Sequence, residues 1–428
     1  MARQMSADHS ELPISVVMAT FNGARFVAQQ LDSVSAQTIR PSELVVGDDG
    51  STDATLEIVE RFAAQAPFPV VVIRNPRRLG AAENFLSLGM AARGPIVALS
   101  DWDDVWRPNK LERIAPWFRD PTVGMVVHRA EVVDEGLRPL GRRYPAISRT
   151  TVQQARRIDP WFSGTGLGVF RKSLLEAVAA AGDRPREASG HPMDHDDWIY
   201  YLSGSLGKTV LLAEDLVLYR QHGGSYMGAP GGDLSERVER GLRLGAEDFQ
   251  RQAAMFRERR EFWRRVASDH RAEAPVRSEA MRSAAWSGHL ASLQDARATV
   301  RDEARGLRRR MLELIRLVIS GGYRPRTRAG LGARAFGGDV LSLIRRSSAE
   351  PNVATNELAN RVAAERGGGR SPRAIIAELS REGVAPLYGK RWTPEMIRDL
   401  VFQARRAAEA DEAVPTALLP STTSTRKP

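Results

Sequence analysis

The chain has 428 residues and a formal net charge of +10, which leaves room for two or three domains and biases it toward anionic partners: nucleotide phosphates, acidic lipid headgroups or nucleic acid. It holds no cysteine, which excludes disulfides, thiolate zinc sites and a cysteine nucleophile, and fits a reducing compartment. "MARQMSADHS" has no apolar signal core, and no run of about 18 apolar residues occurs, so a cytoplasmic protein without a transmembrane helix is expected.

In chain order, "ISVVMAT" (14–20) reads as a buried strand, and "ARFVAQQLDSVSAQ" follows with Phe26, Val27, Leu31 and Val34 at helical spacing. "SELVVGDDGSTDATLEIVERFAAQ" is a strand, a polar turn and a helix, with Asp53 as its N-cap. "FPVVVIRN" is a third strand, "AAENFLSLGMAA" a helix, and "PIVALSD" a fourth strand. Such repetition predicts a parallel α/β sheet, whose ligands collect beyond the carboxyl ends of the strands. The polar clusters fall there: 20–23, 47–53, 74–80 and 100–104.

"SGTGLGVFRKSLLE" (163–176) is a glycine-rich turn that lets backbone approach a ligand closely, although its spacing is not that of a dinucleotide fingerprint. "HPMDHDDWIYYL" sets His195, Asp196 and Asp197 ahead of an apolar helical pattern. As residues alone, these acids suit an N-cap, and a metal phosphohydrolase would need more histidines than the 7 present. "LVLYRQHGGS" (216–225) closes this half. Residues 234–318 are helical in pattern and arginine-rich, with "RGLRRRMLELIRLVIS" showing one apolar and one basic face. A Gly/Pro/Arg stretch, a short helix "DVLSLIRR" and a linker "GGGRSP" lead to a helix-turn-helix unit. The tail "PTALLPSTTSTRKP" is expected to be disordered.

"VALSDWDDVW" is the densest chemistry: an apolar run ends and Asp101, Asp103 and Asp104 follow within four residues. Alone, this reads first as a solvated turn with helix caps. Together with "ISVVMATFNGARFVAQQLDSVSAQT", "VVGDDGSTDATLEIV" and "RNPRRLGAAENF", it resembles the inverting glycosyltransferases of family 2, of the rhamnosyltransferase-like, polysaccharide-building type. The resemblance runs from about residue 12 to about 224. It implies a GT-A nucleotide-sugar-binding sheet, Rossmann-like α/β, followed by a mostly helical carboxyl-terminal region.

The resemblance also implies roles. Asp101-Trp102-Asp103 matches the family's D-x-D motif. Asp103 would be the direct ligand of Mn2+ or Mg2+, Asp101 would contact ribose or the metal shell, and Trp102 would lie between them at the nucleotide-sugar. Asp104 reads as a turn cap. A hard divalent cation bridging the phosphates suits carboxylate ligands, because the departing diphosphate carries charge that must be neutralised. In "GDDGSTD", Asp48 and Asp49 are the nucleotide acids, the first accepting a pyrimidine N–H; an Asx-turn with an N-cap is compatible with that. Thr20 and Asn22 would approach base and ribose. Gly80 and Asn84 fit the loop that wraps the nucleotide, and Arg78 reads as part of it or as a surface charge. The residue pattern "YRQHG" is met by Tyr219 to Gly223, with His222 completing the metal shell and Arg220 contacting diphosphate. The acid before an aromatic helix is the catalytic base in such enzymes: Asp196, or failing it Asp197.

The expected domains are 12–232 (GT-A), 233–350 (basic helical extension), 366–410 (small helical unit) and 411–428 (tail). The donor would be a nucleotide-diphosphate sugar and the acceptor a glycan or lipid-linked glycan. The basic amphipathic helix either lies on an anionic membrane at its inner face or packs on the catalytic domain with its arginines in water. Part of the 366–410 unit resembles a helical segment of large serine recombinases. The rival reading is therefore a DNA-associated or protein-interaction protein on a degenerate nucleotide-sugar-binding fold.

Overall fold

The computed structural model describes residues 12–160, 162, 168–222, 244–325, 330–344, 353–367, 370, 372–384, 386, 392, 396–397, 400–401 and 404. Residues 163–167 of the glycine-rich segment, 223–232 and the tail 411–428 lie outside them. The described residues form two compact units: those up to 222 together with 244–344, and those from 353 onward.

The larger unit is organised by one ten-stranded sheet. Its strands are β1 (Ile14–Thr20), β2 (Glu43–Asp48), β3 (Val70–Arg74), β4 (Ile96–Asp101), β5 (Val105–Trp106), β6 (Val123–Val133), β7 (Pro139–Tyr144), β8 (Thr151–Gln153), β9 (Val169–Arg171) and β10 (Lys208–Arg220). The order is β3-β2-β1-β4-β9-β6-β10-β5, with β7 beside β6 and β8 beside β10. The first four predicted strands are present and pair in parallel. β9 then runs antiparallel between β4 and β6, so the sheet is mixed rather than wholly parallel. Helices α1 (Val27–Ser35), α2 (Thr55–Ala63) and α3 (Ala81–Ala91) connect the first strands, as the period-3.6 patterns predict.

β1 is buried along its whole length, and its side chains alternate between two cores. Val16 and Met18 join Leu31 and Val34 of α1 on one face. Val17 and Ala19 join Phe85 and Leu88 of α3 on the other. That second core also contains Trp198 and Tyr201 of the helix His195–Leu206, and Phe256, Trp263, Trp286 and Leu290 from the helices Ala246–Ser268 and Ala274–Arg301. Trp263 Nε1 donates to Tyr201 Oη at 2.9 Å, and Tyr201 Oη lies 2.9 Å from Ser287 Oγ. The arginine-rich extension is therefore a substantial part of this second core of the larger unit.

The last turns of this layer are fixed by a buried carboxylate. Asp339, fully enclosed, takes Arg297 at 2.8 Å, Arg301 at 2.9 Å and Tyr323 Oη at 2.9 Å. The Tyr323 phenol is pushed up by burial and by Asp339. Arg310, expected on the wet face with Arg308 and Arg309, instead turns inward and donates to the carbonyls of Val300 (2.7 Å) and Ser342 (2.8 Å). Its long side chain reaches backbone oxygens that the adjoining turns leave unpaired.

In the smaller unit, the helices Val353–Gly367 and Pro372–Arg381 share a core of Ala359, Val362, Ile375 and Leu379 with Trp392, Met396, Ile397 and Leu400. This core thus begins upstream of residue 366. Arg361 pairs with Glu365, Glu378 and Glu382, and Arg370 with Glu365 and Glu378. Both arginines face acids rather than a free basic surface.

Removing one partner of a buried ion cluster leaves uncompensated charge. Asp339→Ala is expected to lower unfolding free energy in urea by about 3–5 kcal/mol; a loss below about 1 kcal/mol would show that Asp339 does not hold this layer.

Candidate active site

The parallel register brings the predicted acids to one rim. Thr20 stands opposite Asp48, and Ala19 opposite Asp101. Asp48 is buried and accepts four hydrogen bonds: from Thr20 Oγ1 (3.0 Å), Ser51 Oγ (2.5 Å), and the N–H groups of Gly50 (3.1 Å) and Ser51 (2.8 Å). A carboxylate has about four lone-pair positions, so Asp48 is saturated by its own turn. It is left no free acceptor for a nucleobase N–H, the role expected of it. Asn22, held at φ 48°, accepts from Thr52 N at 2.9 Å, and its own N–H donates to Ser51 Oγ at 2.9 Å. Asp53 joins the same knot by accepting from Ala24 N and Thr55 N, both at 3.1 Å.

Asp49 does a different job. It accepts from Leu79 N at 2.6 Å, Gly80 N at 2.7 Å and Asn75 Nδ2 at 3.2 Å, which pins the loop before α3 to the end of β2. Gly80 takes φ 84° and ψ 159°, a region open essentially to glycine alone. This conformation turns its N–H to Asp49 while its carbonyl accepts from Asn84 N at 3.0 Å. Asn84 is buried and donates from Nδ2 to Gly47 O at 2.8 Å. Arg78 is exposed and lies 3.8 Å over the Phe21 ring, beside Thr20 and Asn22. The loop thus leans on the β1 end through a cation–π contact.

The acidic loop after β4 is the centre. Asp103 Oδ2 lies 2.8 Å from His222 Nε2. Trp102 packs against Gly23, where a side chain would meet the indole at 2.7 Å, and forms a ring cluster with Phe26 and His222. Arg220, expected at the diphosphate, is 2% exposed. It donates to Asp103 O (2.6 Å), Glu135 O (2.5 Å) and Gln29 Oε1 (2.7 Å), and its N–H donates to Asp104 (3.0 Å). It therefore lies beneath the loop as its brace, over the Phe26 ring, and the expected phosphate contact is corrected to a scaffold role. Burial, then Asp103 and Asp196, push the Asp101 carboxyl up to about 7. Burial, then Asp103 and Asp101, raise that of Asp104.

Lys110, which the sequence did not single out, is fully buried in this cluster. Its Nζ sits 3.6 Å over the Trp106 ring with no hydrogen-bond partner among the described residues, and burial brings its pKa down to about 7 against the pull of Asp104 and Asp101. The signal was available: one lysine opening an apolar helix six residues after three acids.

The helix His195–Leu206 supplies the other wall. His195 stacks on Phe85 of α3, with ring centres 4.4 Å apart, and burial lowers its pKa. Asp196 and Asp197 both stand in the first turn but face different fields. Asp196 acts on Asp101, Asp194 and His195, whereas Asp197 acts on Tyr200 and Arg259. Asp196 thus lies within electrostatic reach of Asp101, and Asp197 within that of Arg259.

A parallel nucleotide-binding-type sheet with acids gathered at its carboxyl rim and an antiparallel strand beyond defines a GT-A-type domain. Residues 15–179 match the family described as Glycosyl transferase family 2, so this stretch is a family 2 glycosyltransferase domain. An uncharacterized glycosyltransferase of Nostoc sp. is 31% identical over 50% of this chain and 66% of its own. The dTDP-rhamnosyl transferase RfbG of Shigella flexneri is 25% identical over 50% of this chain and 74% of its own. A Mycobacterium bovis relative is covered over 59%, so the chain spans about three fifths to two thirds of the first of these curated relatives. The solved TarS 1–349 of S. aureus in complex with UDP aligns over 78% of this chain and 90% of its own, at 15% identity and a TM-score of 0.43; nothing residue-specific follows from so loose a likeness.

The brace can be tested directly. Lysine keeps the charge of Arg220 but not the fork that reaches three acceptors. Arg220→Lys should cost about 3 kcal/mol of stability; an unchanged urea midpoint would contradict the role.

Proposed function

We propose that this protein is a metal-dependent inverting glycosyltransferase. It moves a sugar from a nucleotide-diphosphate donor to a glycan or lipid-linked glycan in cell-surface polysaccharide synthesis, working peripherally at the inner face of the membrane. The observation that carries the reading is the Asp103–His222 pair, 2.8 Å apart just past the carboxyl end of β4, with Asp196 on the helix beyond in electrostatic reach of Asp101. A relative named as a dTDP-rhamnosyl transferase supports a nucleotide-linked donor.

The donor set suits Mn2+ or Mg2+. Among the described residues no cluster of three or more ligating side chains occurs. Mg2+ is ordinarily held by one or two carboxylates plus substrate phosphates, with water completing an octahedron. Asp103 and His222 would hold the metal, Asp101 would stand in its outer shell, and the metal when bound would neutralise charge on the departing diphosphate.

The chain's own residues do the rest. Asp49, with a lone-pair position left over, is the acceptor for the nucleobase N–H. Thr20, Asn22 and the loop around Arg78 and Gly80 bound the nucleoside. The acceptor oxygen bonds to the anomeric carbon as the bond from that carbon to the diphosphate oxygen breaks. The diphosphate leaves with the electron pair, and Asp196 takes the hydroxyl proton as the new bond forms.

Two measurements test this. In a thermal-shift titration with nucleotide-sugars, Asp103→Ala should lose the Mn2+-dependent part of donor binding while staying folded; unchanged metal-dependent binding would reject the site. In turnover, Asp196→Asn should fall by about 10²–10⁴ with donor binding kept. Near-normal turnover in Asp196→Asn, with Asp197→Asn inactive but donor-competent, would move the base to Asp197.

A further inference from the structure

The helix Leu307–Ile319 packs on the larger unit by a narrow edge. Leu317 is buried, and Arg310 is tethered to the carbonyls of Val300 and Ser342. The opposite side is bare. Leu307, Met311, Leu312, Ile315, Val318 and Ile319 are between 47% and 80% exposed. At 100° per residue these six side chains cover an arc of about 140°. Single exposed apolar residues need no explanation, but a contiguous stripe marks a contact surface.

Arg308, Arg309 and Arg316 are exposed among and beside these residues. The one acid on the helix, Glu313, is paired to Arg316 at 3.7 Å. Just past the helix end Arg324, also exposed, folds back against Gly321. The surface is thus apolar along most of its arc, with Arg308 inside the arc at the helix start and Arg309 and Arg316 beside it. A second copy of the chain fits it poorly, because a two-fold contact would set the same arginines near one another. A layer of anionic headgroups over acyl chains matches both parts. The helix is about 20 Å long, and no helix among the described residues is long and apolar enough to cross a membrane. It would therefore lie in the plane of the interface.

We propose that the exposed arc of Leu307–Ile319 is a docking surface for an anionic lipid bilayer, seating the six apolar side chains among the acyl chains and the arginines among the headgroups. The inference deepens the peripheral membrane reading above but does not rest on the catalytic one, because vesicle binding is read without turnover.

The test is co-flotation of the full chain with vesicles of phosphatidylcholine mixed with phosphatidylglycerol, against pure phosphatidylcholine, over a salt series. Binding to the anionic vesicles that falls as salt rises is expected. Each buried apolar side chain should contribute roughly tenfold in partitioning, so Leu312→Asp with Ile315→Asp should abolish flotation while the thermal midpoint stays unchanged. Arg308→Glu with Arg309→Glu should remove the preference for anionic lipid. The proposal is overturned if the wild type stays unbound at low salt or binds both vesicles equally. It is equally overturned if the aspartate variant floats as the wild type does, or if sedimentation without lipid shows a dimer that this variant breaks.

Discussion

Three carboxylates at the end of a buried strand set the terms for the rest of the site. Asp101, Asp103 and Asp104 follow one another at the end of β4, and burial together with the neighbouring carboxylates penalises the charge of Asp101 and Asp104. The fold answers with two basic side chains, one from far along the chain and one from the next helix. Arg220 ends the 13-residue strand β10 and grips the loop backbone, while Lys110 lies under it against Trp106. The short antiparallel pairing of Val105 and Trp106 with Leu218 and Val217 fixes where β10 must end for that grip to form. The Trp102–Phe26–His222 ring cluster then seals the loop against Gly23. Burial raises Asp101 and Asp104 and lowers Lys110, so the rim favours a further cation that would stabilise the carboxylates in their charged form, which is the electrostatic basis of the metal reading.

The nucleotide side follows a different logic. Asp48 and Asp49 are adjacent in sequence, yet one closes its own turn and the other reaches across to the Leu79–Gly80 backbone. Successive residues leaving a strand point to opposite sides, so neighbours of the same type acquire separate roles. The same division separates Asp196 from Asp197 on their helix, where a step of about 100° turns one toward Asp101 and the other toward Arg259.

Much of this was legible in the sequence. The four parallel strands and three helices follow from apolar periodicity and glycine-rich turns, and the acids at 48–49 and 101–104 fall on the rim that the strand–helix order predicts. The arginines were not legible. Arg220 reads in sequence as a diphosphate contact, and Arg259 and Arg310 look like any of the chain's many surface cations, yet all three are buried. Periodicity reports which face of a helix is apolar; it does not report which guanidinium turns inward to meet carbonyls or an aromatic ring. For the same reason Lys110 was passed over. The arginine-rich helices also hid their share of the core, because Phe256, Trp263 and Trp286 are spaced among charges that dilute the apolar pattern.

The central claim is that Asp103 and His222 hold a divalent cation against the donor's phosphates. The most direct measurement is a crystal structure with a nucleoside diphosphate and Mn2+, read by anomalous scattering. The account expects a manganese peak between the Asp103 carboxylate and His222 Nε2, their present 2.8 Å contact opened, and the diphosphate on its remaining positions. A bound nucleotide with the Asp103–His222 contact intact, and manganese absent or elsewhere, would contradict it.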